Sequence, residues 1–509
     1  MNLSGQTLII RADVNSQIGL GHVMRCLALA QGWQDEGGRV ILVMGKEAAS
    51  TSERWKSEGM EVRVVLAELG SNEDAAKTAK LAKENNASCI VVDGYHFNAD
   101  YQRVIKDSGQ KLLFVDDYGH ADHYYADIVL NQNIYANEQL YSKRESYTRL
   151  LLGSDYVFLR REFLKWREYK REIPEIAKKI LVTMGGSDPK NCTLKVLEAL
   201  FLLQLKEIEV TVVAGGENPH YETLQSKVSD APFSIRLERN VKNMPELMAW
   251  ADVAISAGGS TAWELAFMGL PSLMIIIAEN QRRIVEGLEL HNGTVNLGFK
   301  NEFKTDLISN RIEELCKDKS RRIELSDINS FLVDGKGIKR LLSIISCLDS
   351  EQLQSEYIKI RKAVLGDAYQ IWKLANDPTV RKNAFNKEPI ALKDHIRWFK
   401  EKLSSPDCLI KVLEYKSVLS ALIRYDRINE DYIEIDFAVI DSLRGKGLGT
   451  KILISTMAIA VQELDLNCLR GTVLKSNKPS YKSFINAGFR KMAENSELGN
   501  DYCVFEWKL

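Results

Sequence analysis

The sequence predicts an α/β chain: two successive doubly wound parallel-sheet units, then a smaller α+β domain. Three observations carry that reading. Short β-rich runs alternate strictly with amphipathic helical stretches, first up to Val115 and again across residues 179–277. The early strands run into polar residues, Asp13, Asp93 and Asp116, at the ends where such sheets bind ligands. From about Tyr357 the alternation gives way to strands at short spacing.

Taken in order, strands are expected at 7–11, 40–44, 61–65, 89–92 and 111–115, with helical patterns at 22–36 and 72–84 between them. A charge-dense helix is expected over 160–175. The second series places strands at 179–184, 208–214, 233–237, 253–256 and 272–277. Two Rossmann-type units facing across a cleft are the arrangement of the GT-B fold. Asp334, Gly335 and Gly337 break the pattern ahead of a short helix, so 336–355 reads as a linker. Beyond it come a strand opening at 358, a helix at 367–375 and strands at 409–414, 418–425 and 432–440, then a glycine-rich turn and a helix at 451–463. The chain divides accordingly into 1–150, 151–335, the linker, and 356–509.

Composition narrows the function classes. The 509 residues carry 68 Lys plus Arg against 69 Asp plus Glu, a balance that argues against nucleic acid or another polyanion as the main partner. The strongest apolar run, near 270–278, is half the ~18–20 residues a membrane span needs. The N-terminus lacks a basic stretch followed by a long apolar one, so no signal peptide is expected. Eight scattered Cys without a CxxC pair point to reduced thiols in a cytoplasmic protein.

The most informative segment is RADVNSQIGLGHVMRCLALA at 11–30. It reads as a strand, a loop with Gly19 and Gly21, and a helix opening near His22. Glycines admit a ligand close to the backbone, and a helix N-terminus offers free N–H donors and positive potential. An imidazole there is favoured in the neutral form that a general base requires. The string closely resembles the opening of the UDP-sugar hydrolases of pseudaminic acid biosynthesis, the family often called PseG. The resemblance extends over roughly the first 340 residues. It takes in VDD at 115–117, DIVLNQN at 127–133, LGSDYVFLRREF at 152–163, LVTMGGSDP at 181–189 and ISAGGSTAWELA at 255–266, the last also similar to MurG-type glycosyltransferases.

The resemblance implies hydrolysis of the anomeric bond to free sugar and UDP, without a metal. His22 is then the candidate to deprotonate an attacking water, with inversion. Gly185, Gly186 and Ser187 follow a strand and suit a phosphate or the uracil edge; Gly258, Gly259, Ser260 and Thr261 precede a helix and suit the diphosphate. Glu264, one turn into that helix, is placed to accept ribose hydroxyls, and Arg160, Asn280 and Gln281 are further substrate-binding candidates. Asp13 either orients His22 or the sugar, or orders its loop; Tyr95 lines the pocket. Asp93 reads as structural, and His96, His120 and His123 match no metal-ligand spacing.

In the third domain, IEIDFAVI at 433–440 leads into LRGKGLGT at 443–450 and a helix. A strand, a loop of free amides and a helix N-terminus form a pyrophosphate cradle. The loop, with NKPSYKSFINAGF at 477–489, resembles the GNAT acetyltransferases, and more specifically PseH-like enzymes that N-acetylate a UDP-linked 4-amino sugar. This implies acetyl-CoA bound by Arg444, Gly445, Lys446, Gly447, Leu448, Gly449, Thr450 and Asn477. Glu434 and Asp436, two apart on one strand face, are either the relay that takes the amine proton or a solvent-facing pair. Many relatives carry a tyrosine seven residues after the Asn; here that position is Phe484, and Tyr481 is the nearest alternative acid. The rivals to this two-enzyme reading are a GT-B glycosyltransferase fused to an acyltransferase, the same chemistry on another sugar or acyl donor, and a degenerate UDP-sugar-binding module.

Overall fold

The computed structural model describes residues 2–14, 21–46, 48–186, 188–205, 207–216, 218–241, 243–300, 304–346, 357–416, 418–497 and 500–509. It divides into two compact units, Met1–Leu342 and Ser343–Leu509.

The first unit holds two parallel sheets. Strands β1 (Thr7–Ala12), β2 (Arg39–Met44), β3 (Glu61–Val64), β4 (Ala87–Asp93), β5 (Leu112–Val115), β6 (Ile128–Asn131) and β7 (Arg149–Leu152) form one, in the order β3-β2-β1-β4-β5-β6-β7. Strands β8 (Lys179–Thr183), β9 (Glu209–Ala214), β10 (Ser234–Arg239), β11 (Val253–Ala257), β12 (Ser272–Ile276) and β13 (Val295–Phe299) form the other, ordered β10-β9-β8-β11-β12-β13. The central strands β1, β8 and β11 are buried along nearly their whole length, as sheets covered by helices on both faces require. Strands β6 and β7 extend the first sheet beyond the five strands expected.

One sequence expectation is corrected here. The charge-dense stretch at 160–175 is helical only over Arg161–Leu164. Its cations are drawn outward to tertiary partners instead of to i,i+4 neighbours. Arg171 donates to the carbonyls of Met248, Ala251 and Met268, Arg161 reaches Asp35 and Glu58, and Arg167 donates to the Gly335 carbonyl. The short helix expected at the start of the stretch read as a linker is present as Gly337–Ile345, and it is packed. Ile338, Leu341, Leu342 and Ile345 repeat at helical spacing and are buried. A Cβ on Gly32 would meet the Ile338 side chain at 2.4 Å, and Arg340 pairs with Asp334 at 2.9 Å.

The second unit is one mixed sheet, β14 (Ile358–Lys362), β15 (Cys408–Tyr415), β16 (Val418–Arg427), β17 (Ile433–Val439), β18 (Cys468–Leu474), β19 (Arg490–Glu497) and β20 (Asn500–Lys508), in the order β14-β15-β16-β17-β18-β20-β19. Every pairing is antiparallel except β17 with β18. The long helix Leu448–Leu464 covers it, burying Leu448, Ile452, Leu453, Met457, Ala460 and Leu464. No helix among the described residues is long and apolar enough to cross a membrane.

Candidate functional site

In the first sheet the strand order reverses between β1 and β4, which opens a crevice at their C-terminal ends. Helix Gly21–Asp35 follows β1, and His22 is its second residue. Its buried Nδ1 lies 2.6 Å from Oδ1 of Asp93, the last residue of β4. Asp93 is fully buried. Burial alone would raise its pKa, but the charge of Arg25 and the contact with His22 more than offset this and hold the carboxyl well below the usual range. A carboxylate only accepts hydrogen bonds, so Nδ1 carries the proton and the Nε2 lone pair is left available.

Arg25, one turn further on, fixes the carboxylate. Its Nε and Nη2 donate to Asp93 at 2.6 and 2.7 Å, and its Nη1 donates to Asp117, just past β5, at 2.6 Å. Asp117 also accepts from the Tyr95 hydroxyl at 2.7 Å and from Asn133 Nδ2 at 3.0 Å. Two carboxylates against one guanidinium leave this buried cluster one negative charge, which a proton arriving on His22 would neutralise. Burial first, and then Asp117, push the Tyr95 phenol far up, so it remains a donor. Its ring meets the His22 ring edge-on, with centroids 4.6 Å apart.

These contacts reassign two carboxylates. Asp93, read from the sequence as structural, is the group that holds His22. Asp13 does not touch His22: it accepts from Arg11 Nη1 at 2.6 Å and the Gly45 amide at 2.8 Å, and stands 3.0 Å from His96 Nε2. These contacts tie Asp13 to the loops around β1. His120 donates to the Phe97 carbonyl and His123 pairs with Glu145. Among the described residues no group of three or more His, Cys, Asp or Glu is arranged to hold a metal ion. Gly19 and Ser187 lie outside the described residues.

The second sheet reverses between β8 and β11, so the loop with Gly185 and Gly186 and the loop with Gly258, Gly259, Ser260 and Thr261 leave the same end of adjacent strands. Gly258 admits no side chain, since a Cβ would stand 2.2 Å from Val285 Cγ2. Gln281 Oε1 accepts from the Ile277 amide at 3.2 Å, while its Nε2 lies over Gly259. Asn280 Nδ2 approaches the Tyr95 hydroxyl at 3.4 Å, so the first turn of helix Glu279–Leu290, which follows β12, reaches the His22 crevice. Glu264 Oε1 accepts from Arg160 Nη2 at 2.8 Å, and Arg160 also pairs with Glu162. One oxygen of the expected ribose acceptor is therefore held by a cation from the segment joining the sheets.

In the second unit β17 and β18 pair only from Ile433↔Leu469 to Ile435↔Gly471 and then part, β17 running on to Val439 and β18 to Leu474. The fork exposes unpaired backbone donors between two strands. Beyond β17, Gly445 and Gly447 take φ of +75° and +80° at the N-terminus of helix Leu448–Leu464. A groove lined by Gly447, Thr450, Lys451, Ile454, Ser455 and Asn486 adjoins this loop. The chemistry fits a pantetheine chain in the fork and a diphosphate on the loop.

Not every expected cofactor-binding side chain faces that groove. Arg444 is turned back, donating to the Val439 carbonyl at 3.0 Å, Asp441 at 2.8 Å and Asp377 at 2.6 Å, so it braces the loop. Leu448 is in the core, leaving its backbone alone to contribute, and Lys446 is exposed. Gly449 packs against Phe437 and Ser483. Asn477 caps helix Lys478–Asn486 by accepting from the Ser480 amide.

Phe484 is the ring at the fork. It is buried, stacks on Phe505 and packs so close to Gly471 that a Cβ there would lie 2.2 Å from its para carbon. Tyr481 sits one turn earlier, edge-on to Phe505 with centroids 5.0 Å apart. Glu434 and Asp436 lie on the exposed face of β17, Asp436 3.5 Å from Arg424. Desolvation raises the Glu434 pKa, with Asp426 and Asp436 adding to it against Arg424, a direction that suits a proton acceptor.

Comparison with known proteins agrees with this division. A model described as the glycosyltransferase family 28 C-terminal domain matches residues 180–340, and one described as the acetyltransferase (GNAT) domain matches 358–490. An uncharacterized protein of Methanocaldococcus jannaschii is 24% identical over 96% of this chain and 98% of its own. The spore coat polysaccharide biosynthesis protein SpsG of Bacillus subtilis is 27% identical over 68% of this chain and 99% of its own. The UDP-2,4-diacetamido-2,4,6-trideoxy-beta-L-altropyranose hydrolase of Campylobacter jejuni is 27% identical over 54% of this chain and 93% of its own. The chain thus joins a GT-B-like half, homologous to that hydrolase, to a C-terminal GNAT acetyltransferase domain.

Proposed function

We propose that the chain carries out two consecutive steps on one UDP-linked amino sugar. The GNAT domain acetylates the 4-amino group of UDP-4-amino-4,6-dideoxy-N-acetyl-β-L-altrosamine from acetyl-CoA. The first half then hydrolyses the UDP-2,4-diacetamido-2,4,6-trideoxy-β-L-altropyranose so formed to free sugar and UDP.

The observation that carries the hydrolytic reading is the His22–Asp93–Arg25 arrangement at the mouth of the first crevice. Nε2 of His22 takes a proton from water, the water oxygen bonds to C1 from the face opposite the diphosphate, and the C1–O bond breaks with its electrons leaving on UDP. The amides and hydroxyls of Ser260 and Thr261 receive the charge that develops on the leaving diphosphate, which needs no strong acid. Asp93 holds the ring in one tautomer and offsets the imidazolium charge. In the GNAT half, the neutral amine attacks the thioester carbonyl, backbone donors at the β17–β18 fork stabilise the oxyanion, and Glu434 takes the amine proton through water. With Phe484 at the fork, the CoA thiolate departs without a proton from that position.

The test is turnover without an acceptor. The purified chain, given UDP-amino sugar and acetyl-CoA alone, is expected to yield the diacetamido sugar and UDP, identified by mass spectrometry and NMR. A strict need for a sugar or lipid acceptor would replace hydrolysis by glycosyl transfer.

A further inference from the structure

Beside the His22 crevice stands a large aromatic side chain that no step above uses. Tyr118 is 39% exposed, yet its backbone is pinned. Its amide and that of Gly119 both donate to Oδ1 of the buried Asp116, at 2.7 and 2.9 Å. The turn also packs closely on the neighbouring chain, since a Cβ on Gly119 would meet the Leu140 carbonyl oxygen at 2.7 Å. The ring lies against Tyr95, centroids 5.1 Å apart, and Tyr95 in turn meets His22 at 4.6 Å. His120 closes the other side, its ring 5.7 Å from Tyr118 and 5.9 Å from Tyr95. A rigid aromatic left partly open next to a reactive imidazole forgoes burial of its face, and an arriving ligand can supply that burial.

We propose that Tyr118 is a specificity-determining residue: its ring and that of Tyr95, tilted 49° to each other, form an aromatic corner in which the exposed Tyr118 ring takes the C–H-rich face of the sugar. The surface favours a pyranose whose C6 is a methyl group over one bearing a hydroxymethyl, because a hydroxyl laid against two rings loses water without gaining a partner. The nucleotide is recognised elsewhere, at the loops of the second sheet, so this surface governs the sugar and not UDP. The inference rests on the hydrolytic reading given above.

The experiment compares wild type with Tyr118→Ala and Tyr118→Phe, reading UDP binding by calorimetry and kcat and KM for the UDP-linked 6-deoxy sugar. Tyr118→Ala is expected to bind UDP within about twofold of wild type while its KM rises about tenfold, and Tyr118→Phe to stay close to wild type, since the ring and not the hydroxyl acts. The preference for the 6-deoxy over the 6-hydroxy UDP-sugar should fall several-fold in Tyr118→Ala. A KM within twofold of wild type in Tyr118→Ala overturns the proposal, as does an equal loss in Tyr118→Phe. A wild-type chain that releases no free sugar sinks the hydrolytic reading instead; calorimetry with the intact UDP-sugar then still reads the stacking surface, and equal affinity in wild type and Tyr118→Ala overturns it.

Discussion

His22→Ala lowers hydrolysis by about 10²–10⁴-fold, the contribution of a well-placed general base, and leaves UDP affinity unchanged. The expectation follows from the position of the ring. His22 sits on the first turn of helix Gly21–Asp35 with one nitrogen committed to Asp93 and the other free of that bond. Its removal takes away the proton acceptor without touching the glycine loops of the second sheet. Acetyl transfer should be unaffected, because the β17–β18 fork and its glycine loop belong to the other unit. Steady-state UDP release with and without acetyl-CoA, alongside UDP calorimetry, checks all three statements. Undiminished UDP release in His22→Ala would remove the base assignment.

Asp93→Asn is the second large effect, and it separates positioning from proton transfer. An amide can turn its oxygen to His22 or to Arg25, but not a full carboxylate to both. With its NH₂ toward Nδ1 the imidazole is held in the tautomer that carries its proton on Nε2, which cannot act as a base. Hydrolysis is expected to fall about 10²–10⁴-fold with KM little changed. The same substitution leaves buried Arg25 with Asp117 as its remaining carboxylate partner. It should therefore cost stability, up to the roughly 3–5 kcal/mol typical of breaking a buried ion pair. Denaturant unfolding and kcat on the same preparation check both effects; full activity in a destabilised protein would make Asp93 a purely structural residue.

Much of the architecture was written in local pattern. Strand–helix alternation located the parallel strands β1–β5 and β8–β12; the buried central ones are largely apolar, while β3 and β10, at the edges, were found from the alternation alone. The loop–helix junctions at His22, Gly258 and Gly447 could be read because glycines and a following helix occur within a few residues. The contacts that organise the site were not legible in this way. His22 and Asp93 are 71 residues apart, and only the reversal of strand order between β1 and β4 joins them. Asp13 lies nearer in sequence, which made it the more natural partner; just past the end of β1 it is instead held by Arg11 and His96. The stretch from Arg160 looked helical because its residues are good helix formers. Its arginines are instead spent on distant carbonyls and carboxylates, which no local pattern reports. Tyr118 carried no motif, and its meaning comes only from the pinned turn and its neighbours.

The account centres on water attacking the anomeric carbon beside His22, and one measurement addresses that step directly. Hydrolysis is run in ¹⁸O-water and the UDP product is weighed by mass spectrometry, since the anomeric hydroxyl of a free sugar exchanges with solvent. Cleavage of the C1–O bond leaves every UDP oxygen original, so unlabelled UDP is the predicted result. One ¹⁸O atom in the terminal phosphate of UDP would mean attack at phosphorus, and would contradict the role given to His22.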